Sequence, residues 1–208
     1  MTPKPVEMET DNQKRNDMKR LILLAVIALS GLTSCSTYNR MVNNDEAVNA
    51  AWANVETQYQ RRADLIPNLV NTVKGYAQHE QSTLEQVVEA RAKATSINLS
   101  ADELTPENLA EFQRAQSEVR SALGRLIAIS ESYPDLKANQ NFLELQAQLE
   151  GTENRIAVAR SNFNTATREY NMSIRRFPAN LIAKMFSFRP KPYFEADEQS
   201  AAAPAVTF

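Results

Sequence analysis

Cys35 is the residue with the most specific chemical use in this 208-residue chain, and it is the one cysteine present. It closes the string Leu32-Thr33-Ser34-Cys35, which follows the basic start Met18-Lys19-Arg20 and an apolar run from Leu21 to Leu29. A basic start, a short apolar run and small residues ahead of a cysteine have the layout of a secretory signal that ends in a bacterial lipobox, where the thiol accepts diacylglycerol before cleavage. The run stops at Ser30, short of the roughly 20 apolar residues that cross a bilayer. Residues 1–34 are therefore expected to be a signal peptide with a non-native start upstream of Met18, and Cys35 the lipidated N-terminus of the mature protein. The competing reading is an incidental thiol in an uncleaved anchor. At about 0.8 kcal/mol per buried CH₂, several acyl chains would hold the protein on an extracytoplasmic membrane surface of the cell envelope, periplasmic or outer-membrane.

Arg62 is the second residue of interest. It occupies an apolar position of a helical stripe, between Tyr59 and Ile66, and a guanidinium taken out of water requires partners. Asp64 is a local candidate, and Glu150 and Glu153, three apart on one side of a later helix, are distant ones. Three roles are open: an ion pair that fixes helix register, a charge that snorkels to solvent, or a ligand or catalytic group. His79, the one histidine, stands beside Glu80 at an expected helix junction, where capping or solvation is the ordinary role. Serine, histidine and aspartate occur without the strand-to-helix elbow or glycine-rich oxyanion loop of a hydrolase. One cysteine and one histidine exclude disulfide frameworks, zinc fingers and paired Glu-x-x-His di-iron sites. No metal, no cofactor and no catalytic residue is expected. Lys plus Arg at 23 against 25 Asp plus Glu give no basic surplus for nucleic acid. Glu85, Glu89 and the carboxylates from Glu144 to Glu153 follow helical spacing among arginines, as on a solvated face.

Helices must position these side chains. Glycine occurs four times and hydrophobic residues make up 43% of the chain, so an all-α domain is expected and turn-rich β architectures are disfavoured. Residues 35–44 read as the lipidated cysteine and an unpatterned tether, with Asp45 as N-cap of the first helix. Val48, Trp52, Val55, Tyr59, Arg62, Ile66, Leu69, Val73 and Tyr76 then alternate steps of four and three, a coiled-coil-like stripe. Pro67 should kink this helix without breaking it, because the apolar phase continues to Leu69. A second helix is expected over about Gln81 to Ser96. The third starts on Thr105 as N-cap with Pro106 at its first position, and carries Leu109, Phe112, Gln116, Val119, Leu123, Leu126 and Ser130 to a stop near Tyr133-Pro134. On the fourth, Phe142, Leu145, Leu149, Thr152, Ile156, Ala159, Phe163, Ala166, Tyr170, Ser173 and Phe177 hold the alternation until Pro178. Its small residues leave room for the bulky side chains of the first helix. The sum is an elongated antiparallel bundle of about four helices over 45–186. An end segment over 187–208 follows; the aromatic group Phe186, Phe188, Tyr193 and Phe194 is expected to cap one end, and Glu195 to Phe208 to form a disordered tail.

The strings Arg61-Arg62-Ala63-Asp64-Leu65-Ile66-Pro67-Asn68-Leu69-Val70 and Val73-Lys74-Gly75-Tyr76-Ala77 resemble the first motif block of the LemA family. Its second block is similar to Tyr133-Pro134-Asp135-Leu136-Lys137-Ala138-Asn139, then Thr152-Glu153-Asn154-Arg155-Ile156-Ala157, Phe163-Asn164, Tyr170-Asn171, Phe177-Pro178 and Tyr193-Phe194-Glu195. The resemblance covers roughly Asn43 to Glu195, is loose between Ser96 and Ser121, and is absent in the tail. It implies a membrane-attached, extracytoplasmic antiparallel helical bundle with no established enzymatic activity. Many members keep an N-terminal transmembrane helix where this chain shows a lipobox. Arg61, Arg62, Asp64, Asn68, Asp135, Asn139, Glu153 and Arg155 fall on polar motif positions, and form the candidate interaction surface or core polar network.

The function expected on these grounds is that of a non-enzymatic envelope lipoprotein that presents helix faces to an unidentified envelope protein. The alternative is an enzyme, or an accessory subunit that completes an active site on a membrane partner, with Arg62, Asp64 and Glu153 as first suspects. The first and fourth helices are long enough to cover each other, so a monomeric bundle is expected.

Overall fold

The computed structural model describes the backbone of residues 5–195 and the side chains of Met18 and of residues 36–195. The side chains of Cys35 and of the apolar run before it, and the tail beyond Glu195, lie outside what is described, and with them the expected signal, lipidation and disordered tail. All regular structure among the described residues is helical: α1 (Pro5–Lys74), α2 (Gln81–Ser96), a short 3₁₀ turn (Ala101–Glu103), α3 (Pro106–Ser130), α4 (Pro134–Lys137), α5 (Gln140–Arg175) and α6 (Ala179–Met185). The all-α expectation holds, with six α-helices in place of about four. The two additional helices are short: α4 begins at Pro134 and α6 directly after Pro178, and a proline's missing N–H costs nothing at a helix start. Among the described residues, no helix is long and apolar enough to cross a membrane.

Chain contacts sort the fold into two compact units. Among the described residues, one takes in residues 5–43 together with Met172–Arg189, and the other takes in Asn44–Asn171 and residues 190–195. The body expected over 45–186 spans parts of both.

In the second unit, the stripe of α1 is the core. Val48, Trp52, Val55, Tyr59, Ile66, Leu69 and Val73 are all buried, and α1 runs through Pro67 without interruption. Tyr76 departs from the expected stripe and is 43% exposed, because α1 stops at Lys74 and the turn that follows buries Ala77 in its place. Asn44 donates to the Glu169 carbonyl oxygen, Arg62 to Glu153, and Asn139 to the Tyr76 hydroxyl. Ascending numbers on α1 meet descending numbers on or just before α5, so these two helices are antiparallel.

The start of α3 is as the sequence dictates: Thr105 accepts from the Asn108 N–H at 3.1 Å and Pro106 follows. Asn139 caps α5 by accepting from the Phe142 N–H at 3.0 Å. A capping box of Ser100 and Glu103 closes the 3₁₀ turn, and Leu99 just before it lays its carbonyl oxygen 2.8 Å from the Trp52 indole nitrogen. Ile66, Leu69, Val87, Val119, Leu126, Leu136 and Phe142 belong to one apolar cluster. Each such side chain contributes about 1.5–3 kcal/mol on burial.

Three local expectations are corrected. Residues 36–44 are helical and not a tether, with Met41 fully buried, and Asp45 therefore sits inside α1 and caps nothing. Read upstream, Met41, Asp45, Val48 and Trp52 keep the same four-three-four spacing, so the seam simply continues. Phe177 is 81% exposed because α5 ends at Arg175 and the helical phase ends with it. The aromatic group is divided between the two units: in the first, Tyr38 packs on Phe186 and Phe188, at ring separations of 4.7 and 5.8 Å. In the second unit Phe194 joins Trp52 and Phe163 at 6.0 and 5.3 Å.

Candidate functional site

Arg62 is 1% exposed, and both terminal nitrogens of its guanidinium find acceptors on two other helices. Nη1 donates to Glu153 Oε1 at 2.8 Å, and Nη2 donates to the Gln116 carbonyl oxygen at 3.0 Å and to its side-chain Oε1. The plane also lies over the Tyr59 ring, 5.1 Å from its centroid. Glu153 is 31% exposed at its side chain and has a second cationic neighbour, with Arg120 Nε 3.5 Å from Oε2. The buried charge is thereby matched by a carboxylate that keeps contact with water, which lowers the desolvation cost of the pair. Burial pushes the Tyr59 hydroxyl pKa up; Arg160, Arg62 and Arg120 oppose the shift and Glu153 reinforces it. Tyr59 therefore keeps its proton at neutral pH and serves as a neutral stacking surface for Arg62.

Of the residues proposed from sequence, Arg62 and Glu153 meet directly and the others do not join them. Arg61 and Asp64 are exposed, and Asp64 accepts from the Gln60 side chain on its own helix at 2.8 Å. Asn68 is exposed, with its carbonyl oxygen accepting from Thr72. Asp135 lies exposed in the first turn of α4, and Asn139 is the cap of α5. Arg155 donates to Thr152 Oγ1 at 2.9 Å one turn back. Glu150, the other distant candidate for Arg62, is exposed and accepts from Gln146. His79 is exposed in the turn between α1 and α2. No group of His, Cys, Asp and Glu among the described residues is arranged to hold a metal ion.

Sequence reasoning missed Gln116 as the third member of the crossing, although it interrupts the apolar stripe of α3 as Arg62 interrupts that of α1. It also missed a second polar constellation. Asn171 donates to the Lys191 carbonyl oxygen at 2.8 Å and accepts its N–H at 2.9 Å. One heptad earlier, Asn164 does the same for Phe194, at 3.0 and 2.8 Å. Arg160 donates to the Glu195 carbonyl oxygen at 2.7 Å, and its guanidinium stands 5.0 Å over the Phe194 ring. Lys191 Nζ reaches Asp45 at 2.7 Å and Asn49 at 2.8 Å. Residues 191–195 are in this way laid along α5 and held by their backbone.

Comparison with known proteins agrees with these motifs. The sequence profile described as LemA family matches residues 51–208. Magnetosome protein MamQ 1 of Paramagnetospirillum magneticum is 26% identical over 212 residues, which cover 93% of this chain and 78% of that protein. MamQ of Magnetospirillum gryphiswaldense is 26% identical over 221 residues, 97% of this chain and 81% of its own length. Protein LemA of Metamycoplasma hominis is 24% identical over 160 residues, 77% of this chain and 69% of that protein.

Proposed function

Since the chain belongs to the LemA family, we propose that it is a membrane-anchored, extracytoplasmic lipoprotein of the cell envelope that acts as a non-enzymatic scaffold. The observation that carries this reading is the closure of the Arg62 crossing. Both of its terminal nitrogens donate to groups within the fold, Nη1 to Glu153 and Nη2 to Gln116. A charge so enclosed fixes the register of three helices and is not aimed at a reacting atom. The helices of Asn44–Asn171 form a monomeric antiparallel bundle, and their exposed faces meet an envelope protein. The lipid on Cys35 supplies attachment, and neither nucleic acid nor a cofactor takes part.

Two measurements on cells expressing the chain with its own N-terminus test the reading. Intact mass of the membrane-extracted protein is expected to show Cys35 as a diacylglyceryl-modified first residue, and Cys35→Ser should abolish that modification. An unmodified Cys35 with upstream residues still attached overturns the anchor. Crosslinking in native envelopes is expected to recover a specific protein, and repeated recovery of none overturns the scaffold.

A further inference from the structure

Four large apolar side chains stand exposed on α6 or at its margins: Phe177, Leu181, Met185 and Phe186, each more than half uncovered. A single exposed apolar residue is ordinary, but a cluster of them marks a surface that meets something. Within α6, Ala179 and Ala183 are buried, and Leu181 and Met185, two residues beyond each, lie on the opposite face at about 100° per residue. Lys184 borders that exposed face, three residues from Leu181. Residues 172–189 hold Arg175, Arg176, Lys184 and Arg189 and no Asp or Glu, in a chain whose acids outnumber its bases by 25 to 23. Arg175, Arg176 and Lys184 are exposed, and among the described residues their side chains form no ion pair. Tyr38 ties this patch to α1. Its ring packs on Phe186 and Phe188, and it follows Cys35 by three residues on the same helix, a rise of about 4.5 Å.

We propose that α6 is a second membrane contact, an interfacial element whose apolar face enters the headgroup layer of a bilayer rich in anionic lipid while Arg175, Arg176 and Lys184 meet lipid phosphates. This rests on the membrane attachment proposed above and adds to it, and it holds whether acylated Cys35 or the apolar run before it makes the first contact. Interfacial segments of this kind bind through buried apolar area and through attraction of basic side chains to anionic headgroups. Lys184 can lay its stem along the apolar surface and keep its ammonium at the phosphates. A second copy of this chain fits the patch poorly, because pairing the same surface on both copies opposes the same cations. An acidic protein would meet the charge, but the patch touches Tyr38, within one helical turn of Cys35, and that place favours the lipid surface.

The test uses the full chain with Cys35→Ser, which removes acylation and leaves Leu181→Cys as the single thiol for an NBD fluorophore. With vesicles of phosphatidylglycerol and phosphatidylcholine in equal parts, the label is expected to shift to the blue and to be quenched by doxyl-labelled lipid. Met185→Cys should report the same, whereas a label on Val158→Cys, exposed in the second unit, should stay in water. Arg176→Gln and Lys184→Gln should each raise the lipid concentration at half-signal about fivefold, and vesicles of phosphatidylcholine alone should require more lipid still. A label that stays unquenched at both α6 positions on bound chain, or a chain that binds no vesicle, overturns the proposal. So do equal signals on the two vesicle types and equal quenching at Val158→Cys. A blue shift that grows with protein concentration in the absence of lipid also overturns it, and assigns the patch to a second copy. Because no acyl chain is present in any of these proteins, a negative result counts against α6 and not against lipidation, whose own test is the intact mass of the native protein.

Discussion

The Arg62 crossing and the clamp on residues 191–195 satisfy buried polar groups by opposite means. At the crossing a full charge is enclosed and then matched by one carboxylate and one amide, so its free energy is a small difference between large terms. At the clamp two neutral amides, Asn164 and Asn171, supply the donor and acceptor that an extended backbone would otherwise find in a neighbouring strand. The first arrangement specifies which helices meet and in what register. The second fastens a segment with no regular structure of its own, and needs only main-chain geometry and a place for Phe194.

The largest expected effect comes from breaking the crossing on one side. Arg62→Ala removes the cation, strands Gln116 in the core and opens a void beside Tyr59, and should cost about 3–5 kcal/mol in urea unfolding. Replacing all three partners together, as Arg62→Met, Gln116→Leu and Glu153→Leu, sharpens the contrast. If the pair serves register more than stability, that triple variant should lose less than Arg62→Ala alone, and a loss as large would show that the ion pair itself stabilises the fold.

Asn171→Ala should have a smaller and more local effect. It leaves the Lys191 N–H and carbonyl without partners, and deprives the Tyr193 hydroxyl of its 3.1 Å donor, at a cost of about 1–3 kcal/mol. Because residues 191–195 can detach without unfolding the helices, amide exchange at Lys191 should accelerate more than exchange at Leu69 or Leu126 in the core. Equal acceleration at all three would mean that the clamp is integral to the global fold, and would erase the distinction drawn between the two regions.

The two regions also differ in how far the sequence discloses them. Arg62 is legible because it breaks a strict apolar period, and Glu153 because it sits within reach on the later helix. Gln116 breaks a period too, but an amide in a stripe carries no charge that demands a counterpart. The asparagine clamp leaves no trace of this kind, since its partners are backbone groups, which every residue possesses. Asp45 shows how a local rule misleads: aspartate favours helix caps, yet a tertiary partner, Lys191, holds it inside α1. Tyr76 and Phe177 mark the reverse limit, for a period can be extended past the residue where the backbone stops being helical. The short α6 escapes for want of length, as seven residues offer too few turns to display a period.

The smallest expected effect concerns pH, and it belongs to the side of the unit that holds the crossing, since the clamping asparagines have no ionisable group. Glu56 has its pKa raised, chiefly by burial. A carboxyl whose folded pKa exceeds its unfolded value favours the fold in its protonated form. Its contribution is fully present below the unfolded pKa and is lost as pH rises through the folded one. At pH 7 the ionised Glu56 is therefore a mild liability, discounted heavily because the side chain keeps much of its contact with water. Glu56→Gln should raise the urea midpoint at pH 7 by an amount equivalent to less than about 0.5 kcal/mol, and the two proteins should converge at pH 3.5, where Glu56 is protonated. Asn164→Ala, by contrast, should show the same deficit relative to the unmutated chain at both values. A gain for Glu56→Gln that persisted at pH 3.5 would assign the effect to packing and not to the buried charge.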